Sequence, residues 1–395
     1  MNQKKLVTVL GLAGFIVMAD NWVVSPILPA IAKSFHVDPA KAGILIAAYM
    51  LPFGLFQLAY GPLADRFGKL KVIVGTLAMF AVATALCGAG LGLTDLGLYR
   101  ALTGLFAAAT MPVSLALIGD VVPLERRQEA IGTFMGISFL GQALSMGIGG
   151  TIAYFASWRA VFVAYAAVAG MISALLAGIS RKLAGKFAGN ARSEAFSAYA
   201  RLLGSSSSLR AYSVILFEGA FILGSFSYLG ANISRALRMS YLETGLIMTV
   251  FGVGAVLGGR LGDKIAKRTG KKSLIALGLG LGAAADLAIA FVSSHLAFIV
   301  AGIFALGLGF MLAHSTLLTL ATEFARKSRG VAMSMVTFCF MVGGSVGTAF
   351  GGRLIGELGY GDFFALYGFA LLVLSAISLA AIKESQPRSA ADMAA

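Results

Sequence analysis

The chain is a succession of long apolar runs separated by short polar breaks. The first run, LVTVLGLAGFIVMADNWVVSPILPAIA, follows MNQKK and is long enough to cross a bilayer, which takes roughly 20 apolar residues in helical form. A charged start before an apolar run has the outline of a signal peptide, but this run is too long and no small-residue cleavage site closes it, so it reads as the first span. The pattern predicts twelve helical spans, at 6–32, 42–60, 72–92, 97–118, 130–154, 160–180, 211–233, 242–260, 273–293, 296–320, 330–354 and 362–382.

Composition agrees with that reading. Hydrophobic residues make up 58% and charged residues 12%, with mean hydropathy +0.88, whereas soluble domains carry about 25% charged residues. The net charge of +14 is an orientation signal and not a nucleic-acid footprint. If both termini share one side, that side collects Lys4, Lys5, Arg66, Lys69, Lys71, Arg126, Arg127, Arg326, Lys327, Arg329, Lys383 and Arg388, together with the basic stretches 181–210 and 260–272. The other side holds only Lys33, Lys41, Arg159, Arg235 and Arg238. The positive-inside rule then predicts a multi-pass protein of the cell membrane, the inner membrane where there are two, with both termini cytoplasmic. Cys87 and Cys339 fall inside different spans and suggest neither a disulfide nor a zinc site. No phosphate-binding glycine loop and no catalytic grouping of Ser, His and acid is found. The expectation is a non-enzyme without cofactor or metal, working as a monomer among membrane lipids and driven by an ion gradient or by the substrate's own.

Internal repetition sets the predicted architecture. GPLADRFGKLK at 61–71 follows the second span and GRLGDKIAKRTGKK at 259–272 follows the eighth, placing Asp65 and Asp263 198 residues apart. GQALSMGIGG at 141–150 and GGSVGTAFGG at 343–352 pair at a separation of 202, as do Phe162 and Tyr165 with Phe364 and Tyr367. We therefore expect an N-terminal six-helix bundle at 1–180, a cytoplasmic linker at 181–210, a C-terminal six-helix bundle at 211–383 and a cytoplasmic tail at 384–395. The linker should hold a short amphipathic surface helix around Phe196, Tyr199, Leu202 and Leu203, then a flexible Gly/Ser run.

Gly61-Pro62-Leu63-Ala64-Asp65-Arg66-Phe67-Gly68-Lys69 closely resembles the loop signature of the major facilitator superfamily, and Arg100 with Gly104 resembles its fourth-span signature. Over nearly its whole length the chain is similar to that family, in particular to its twelve-span drug:proton antiporter group. One departure is that Ser145-Met146 stands where the exporters of that group carry Gly-Pro, which weakens a helix kink while leaving glycines for close contact. The resemblance implies an all-α fold of two pseudo-symmetric six-helix bundles, with a substrate site between them near the midplane. It also implies a gating loop that latches the cytoplasmic side, here Gly61, Asp65, Arg66, Gly68 and the second copy's Asp263. Read from the residues, Gly61 and Gly68 suit a tight turn, Asp65 can cap a helix start, and Arg66 can meet lipid phosphates.

Asp20 and Asn21 stand in the middle of the first span, where a carboxylate is expensive and marks a functional site with a partner to be found. At the 198 offset, Glu218 takes the matching place in the seventh span. Glu218, Ser225 and Asn232 form one stripe there, and Asp20, Asn21 and Ser25 form a polar arc on the first span. Arg100 is the one base well inside a span, which makes it the expected partner of Asp20. Glu218 has no cation in its own helix and is the expected proton carrier, with Asp20 and Arg100 completing the coupling set. His314 can join a proton path, although a packed neutral histidine is the ordinary alternative. Gln57, Met111 and Gln142 join Asn21, Ser25, Ser225, Asn232 and His314 as candidates for the substrate cavity, and Asp286 is a third intramembrane acid in a span expected to be peripheral.

These residues suggest a proton-coupled exporter of small amphipathic or lipophilic molecules. The alternatives are a metabolite importer or facilitator, a lipid flippase needing a lateral opening to the bilayer, and a non-transporting sensor, which would have no use for the acids. Sodium or a divalent ion at Asp20 and Asn21 is the other coupling chemistry left open.

Overall fold

The computed structural model describes residues 3–182, 195–292, 295–324 and 329–382. Twelve crossings are seen, and no strand occurs among the described residues. The first span is Gln3–Trp22 continued by Val24–Ser34, and the second is Pro39–Ala42 continued by Ile44–Phe67. Lys69–Gly88 is the third, Leu93–Ala107 with Thr110–Val121 the fourth, Leu124–Phe155 the fifth and Trp158–Lys182 the sixth. The seventh runs from Ser206–Glu218 through a π-helical turn, Gly219–Leu223, into Gly224–Ala236. Tyr241–Thr269, Lys271–Phe291 and Leu296–Phe324 are the eighth to tenth. Arg329–Ala381 holds the last two, separated at Gly359, whose φ of 86° only glycine adopts readily.

The spans form two six-helix bundles with the same internal packing. The first span packs on the fifth, the second on the fourth and the third on the sixth, and in the other half the seventh packs on the eleventh, the eighth on the tenth and the ninth on the twelfth. Lipid tails are as apolar as leucine, so association rests on close approach and on polar contacts. Glycines supply the approach. A Cβ on Gly141 would lie 2.1 Å from Phe15 O, and one on Gly343 would lie 1.9 Å from Leu216 O, the equivalent contact in the other bundle. Hydrogen bonds repeat in the same register. Tyr165 and Tyr367 donate to the carbonyls of Ser145 and Gly347, and Ser173 and Ser375 to those of Val74 and Ala276. Lys69 pairs with Asp120, as Lys271 does with Glu323.

That register is 202 residues throughout the second and eighth spans, and it corrects the 198 offset. Gly68 and Gly270, with φ of 96° and 83°, end the two helices at equivalent points. Asp65 therefore corresponds to Lys267. Matching the two acids slips the alignment by about one helical turn. The stretch 61–67 is also no loop. The helix runs through Gly61, around which a Cβ would meet nothing within 4 Å, and through Arg66, and only Gly68 turns. Asp65 sits in the last helical turn, 3.9 Å from Lys69, and does not cap a helix start. The side chain of Asp263 lies outside the described residues, as does the tail at 384–395.

Between the bundles, Ala195–Leu203 is helical, with Leu202 buried and Tyr199 donating to Leu58 O. Ser206 already belongs to the seventh span, so the flexible Gly/Ser run expected there is largely helix; residues 183–194 of the linker lie outside the described residues.

Replacing Gly141 by alanine should destabilise the protein by about 1–3 kcal/mol, because the fifth span must back away from Phe15. Gly136→Ala, five residues earlier in the same helix and facing open space, should be neutral or stabilising by about 0.5–1 kcal/mol. Thermal unfolding of the two purified variants in one detergent checks the contrast; equal shifts would contradict the packing.

Candidate transport site

The first span breaks at Val23, just before Pro26 and Pro29, and Asp20 and Trp22 lie immediately ahead of the break. Asp20 is fully buried, and Arg100 of the fourth span, 1% exposed, places Nη1 2.6 Å from its Oδ2. Nη2 lies 3.4 Å from the Asp20 backbone carbonyl, and the guanidinium stacks on the Tyr49 ring at 4.4 Å and nears Phe162 at 5.8 Å. The pair is thus one hydrogen-bonded, aromatic-walled unit within the N-terminal bundle.

Glu218 has a basic partner after all. It is fully buried, with Oε2 3.2 Å from Nδ1 of His314 in the tenth span, and its Oε1 has no hydrogen-bond partner among the described residues. His314 is 19% exposed and lies between Phe310 and Phe340, whose ring centroids are 5.2 and 4.4 Å away. The missing signal is tertiary: no sequence spacing links 218 to 314.

The two pairs are not equivalent by symmetry. The glycine contacts align Phe15 with Leu216, so Glu218 matches Val17 and stands about one turn away from the equivalent of Asp20. The matching placement expected at the 198 offset is therefore corrected. The π turn begins immediately after Glu218, and such turns recur at functional sites.

The other candidates divide by depth. Asn21, Gln57, Gln142 and Asn232 are buried, each with a side-chain polar atom that lacks a partner among the described residues. Ser225 donates to the Ile222 carbonyl in its own helix, and Met111 is partly buried against the core. Ser25 is not free to line a cavity: its Oγ lies 2.7 Å from Phe226 O and 3.1 Å from Ser227 O, joining the first span to the seventh. Asp286 is fully buried on the ninth span.

Ser25 belongs to a seal on the face opposite the chain's ends. There Tyr228 donates to Ala40 O, a Cβ on Gly230 would lie 2.4 Å from Ser25 O, and one on Gly150 would lie 2.4 Å from Tyr241 O. On the face nearer the ends, a cavity of about 620 Å³ separates the fifth and eighth spans, lined by Gln142, Ile137, Leu140, Ala255, Arg260 and Met311 among others.

Two bundles in contact on one face, with a cavity between the fifth and eighth spans toward the other and buried ionisable pairs within, have the architecture of a membrane transporter. The chain belongs to the Major Facilitator Superfamily, whose family model matches residues 10–232 and 214–393. It is 29% identical over 373 residues to the Uncharacterized MFS-type transporter YceJ of Bacillus subtilis (strain 168), covering 92% of this chain and 93% of that protein. It is 26% identical over 365 residues to Multidrug resistance protein 1 of the same organism, covering 90% and 92%. Its fold matches the crystal structure of a point mutant of the nucleoside transporter NupG with a TM-score of 0.78 at 13% identity, covering 97% of this chain and 100% of that one. It is a multi-pass membrane transporter of small molecules.

Removing Arg100 strands a buried carboxylate, so Arg100→Ala alone should destabilise the protein by about 3–5 kcal/mol. In the Asp20→Asn background the same change should cost far less, because no charge is left unpaired. A double-mutant cycle on unfolding temperature and yield measures the difference; simple additivity would rule out a coupled pair.

Proposed function

We propose that the protein is a proton-coupled exporter of small amphipathic or lipophilic compounds, working by alternating access. The observation that carries this reading is the Glu218–His314 contact: a wholly buried carboxyl touching an imidazole that is itself partly open. One proton shared between Oε2 and Nδ1 leaves either a carboxylate beside an imidazolium or a carboxyl beside a neutral ring. A second proton places a cation beside a neutral acid and removes their attraction. Loading the pair therefore favours separating the seventh and tenth spans, and unloading it draws them together, so protonation biases one of two packings.

The walls suit the proposed cargo. Phe310 and Phe340 flank the imidazole, and Met311 lies one turn from it, offering stacking and polarisable contacts that tolerate varied lipophilic shapes. Resemblance over nearly the full length to a protein named for multidrug resistance supports export of such compounds. Asp20 and Arg100 take a holding part in the coupling set, since neither is open to exchange in this state. Under this reading the units 1–180 and 211–383 rock as bodies joined by 181–210. The charge asymmetry puts the parted face toward the cytoplasm.

Each proton crossing a one-unit pH gradient supplies about 1.4 kcal/mol, enough for a roughly tenfold accumulation of a neutral substrate. In proteoliposomes, Glu218→Gln should abolish pH-driven accumulation of amphipathic dyes while downhill exchange persists and loses its pH dependence. His314→Asn should reduce accumulation in the same way. A glutamine variant that still concentrates dye as the wild type does would remove Glu218 from coupling and move Asp20 ahead of it.

A further inference from the structure

We propose that Asp286 is a proton-binding site in its own right, one that must be filled before the seal on the face opposite the chain's ends can close. Its purpose rests on the transport reading above, and its existence on the packing of the C-terminal bundle.

Asp286 stands fully buried on the ninth span, and neither of its carboxyl oxygens has a hydrogen-bond partner among the described residues. One helical turn earlier, a Cβ on Gly282 would lie 3.5 Å from Leu371 Cδ1, 3.7 Å from Leu306 Cδ1 and 3.8 Å from Ile222 Cδ1. This face of the helix therefore points into the middle of the bundle. Two hydroxyls stand beside the carboxyl, and each has already given its one hydrogen elsewhere. Ser225 donates to Ile222 O at 3.2 Å, and Tyr367 donates to Gly347 O at 2.6 Å. Tyr367, on the twelfth span, is the titratable neighbour. From the tenth span comes Gly302, whose Cβ would lie 3.5 Å from Ala285 O, and no charged side chain of the seventh, eighth, tenth or twelfth span acts on the acid among the described residues. A carboxylate here would have neither a cation nor a free donor, a state that apolar surroundings make expensive. A neutral carboxyl fits, because its O–H can be accepted by the Ser225 oxygen. Packing alone does not ask for an acid: the 202-residue register places Thr84, also fully buried, at the equivalent point of the other bundle.

The half-helix that covers the acid makes its proton consequential. Ser225 belongs to Gly224–Ala236, which begins directly after the π turn. The next two residues, Phe226 and Ser227, offer the carbonyls that take the Ser25 hydroxyl, and Tyr228 donates to Ala40 O. One short piece of the seventh span is thus both the seal between the bundles and the cover of Asp286, with the π turn at its base as hinge. When that piece swings away, Ser225 leaves Asp286, water reaches the carboxyl, and its proton passes to that water. Closing requires a proton to be taken back from the same side. The closed state therefore holds one proton more than the open one, so raising the pH on that face disfavours closure and lowering it favours closure. A side chain that cannot ionise closes at any pH.

The test uses the full-length protein in phosphatidylcholine nanodiscs, with spin labels attached at Lys33→Cys and Ala236→Cys. Both positions are exposed at the far ends of the first and seventh spans, so the distance between the labels reports the seal. The measurement is made on the Glu218→Gln background, which silences the other acid. There the ratio of short to long distances should fall by up to roughly tenfold for each unit rise in pH, the response of a single proton. Adding Asp286→Thr, the residue type of the other bundle, should hold the seal closed and flatten the response, and Asp286→Asn should do the same. A ratio that ignores pH before either change would overturn the proposal. So would a response that survives both, since it would belong to exposed groups of that face such as His36, Asp38 or Glu243. Sodium chloride that reproduces the shift at fixed pH, where choline chloride does not, would overturn it in favour of a metal-cation site. The distances are read without a gradient or a substrate. Loss of proton coupling, read by dye accumulation, and loss of this proton site are therefore separate outcomes.

Discussion

Inside hydrocarbon, a polar group keeps its hydrogen bonds only if the protein supplies the partner, and the arrangement of the twelve spans follows from that requirement. Backbone groups are satisfied by helix. Hydroxyls fold back onto their own turns, as Thr151 does onto Gly147 O and Thr316 onto Leu312 O. Arg100 and Asp20 neutralise one another across two spans and are walled by Tyr49. Such a unit is expensive to break and so fixes how the first and fourth spans sit, which in turn places the break at Val23.

The repeat at 202 residues shows what the two halves share and where they part. Helix-on-helix contacts, the tyrosine and serine bonds to carbonyls and the lysine–carboxylate pairs recur in register. The ionisable pairs in the middle of the membrane do not. One is an arginine–aspartate pair sealed from solvent, and the other a histidine–glutamate pair with an open edge, beside a π turn that the first span does not have. Packing is duplicated and the ionisable pairs are not.

Much of this was legible along the chain because hydropathy is a local signal. Twelve apolar runs become twelve crossings, with errors at ends such as Thr269, where the helix outlasts its apolar stretch. The contact of Asp20 with Arg100 could be read because only one base lies well inside a span. Glu218 with His314 could not, since it joins helices almost a hundred residues apart and no spacing links the one to the other. The helix through Gly61 and Arg66 was hidden by Gly and Pro, which punctuate soluble chains but are tolerated within spans. Ser25 looked like a cavity residue because polarity in a span signals function; here its hydroxyl bonds to carbonyls of the seventh span instead.

The distribution of charge explains how such a packed molecule can still change state. Asp20–Arg100, Lys69–Asp65 and Lys69–Asp120 lie within the first bundle, and Glu218–His314 and Lys271–Glu323 within the second. Neutral polar contacts cross between the bundles: Ser25 to the Phe226 and Ser227 carbonyls, Tyr228 to Ala40 O, and Ser345 to Ala47 O. Neutral hydrogen bonds contribute about 0.5–1.5 kcal/mol each, whereas breaking a buried ion pair costs about 3–5 kcal/mol. Opening the sealed face therefore gives up a few neutral bonds and some glycine contacts, and leaves every one of these charge pairs whole. Equivalent contacts at the parted seam, where Gly132 and Gly136 already lack the side chains that would obstruct closure, can offset that loss. Two states within a few kcal/mol of one another are what a protonation event of one or two decades needs if it is to shift their populations.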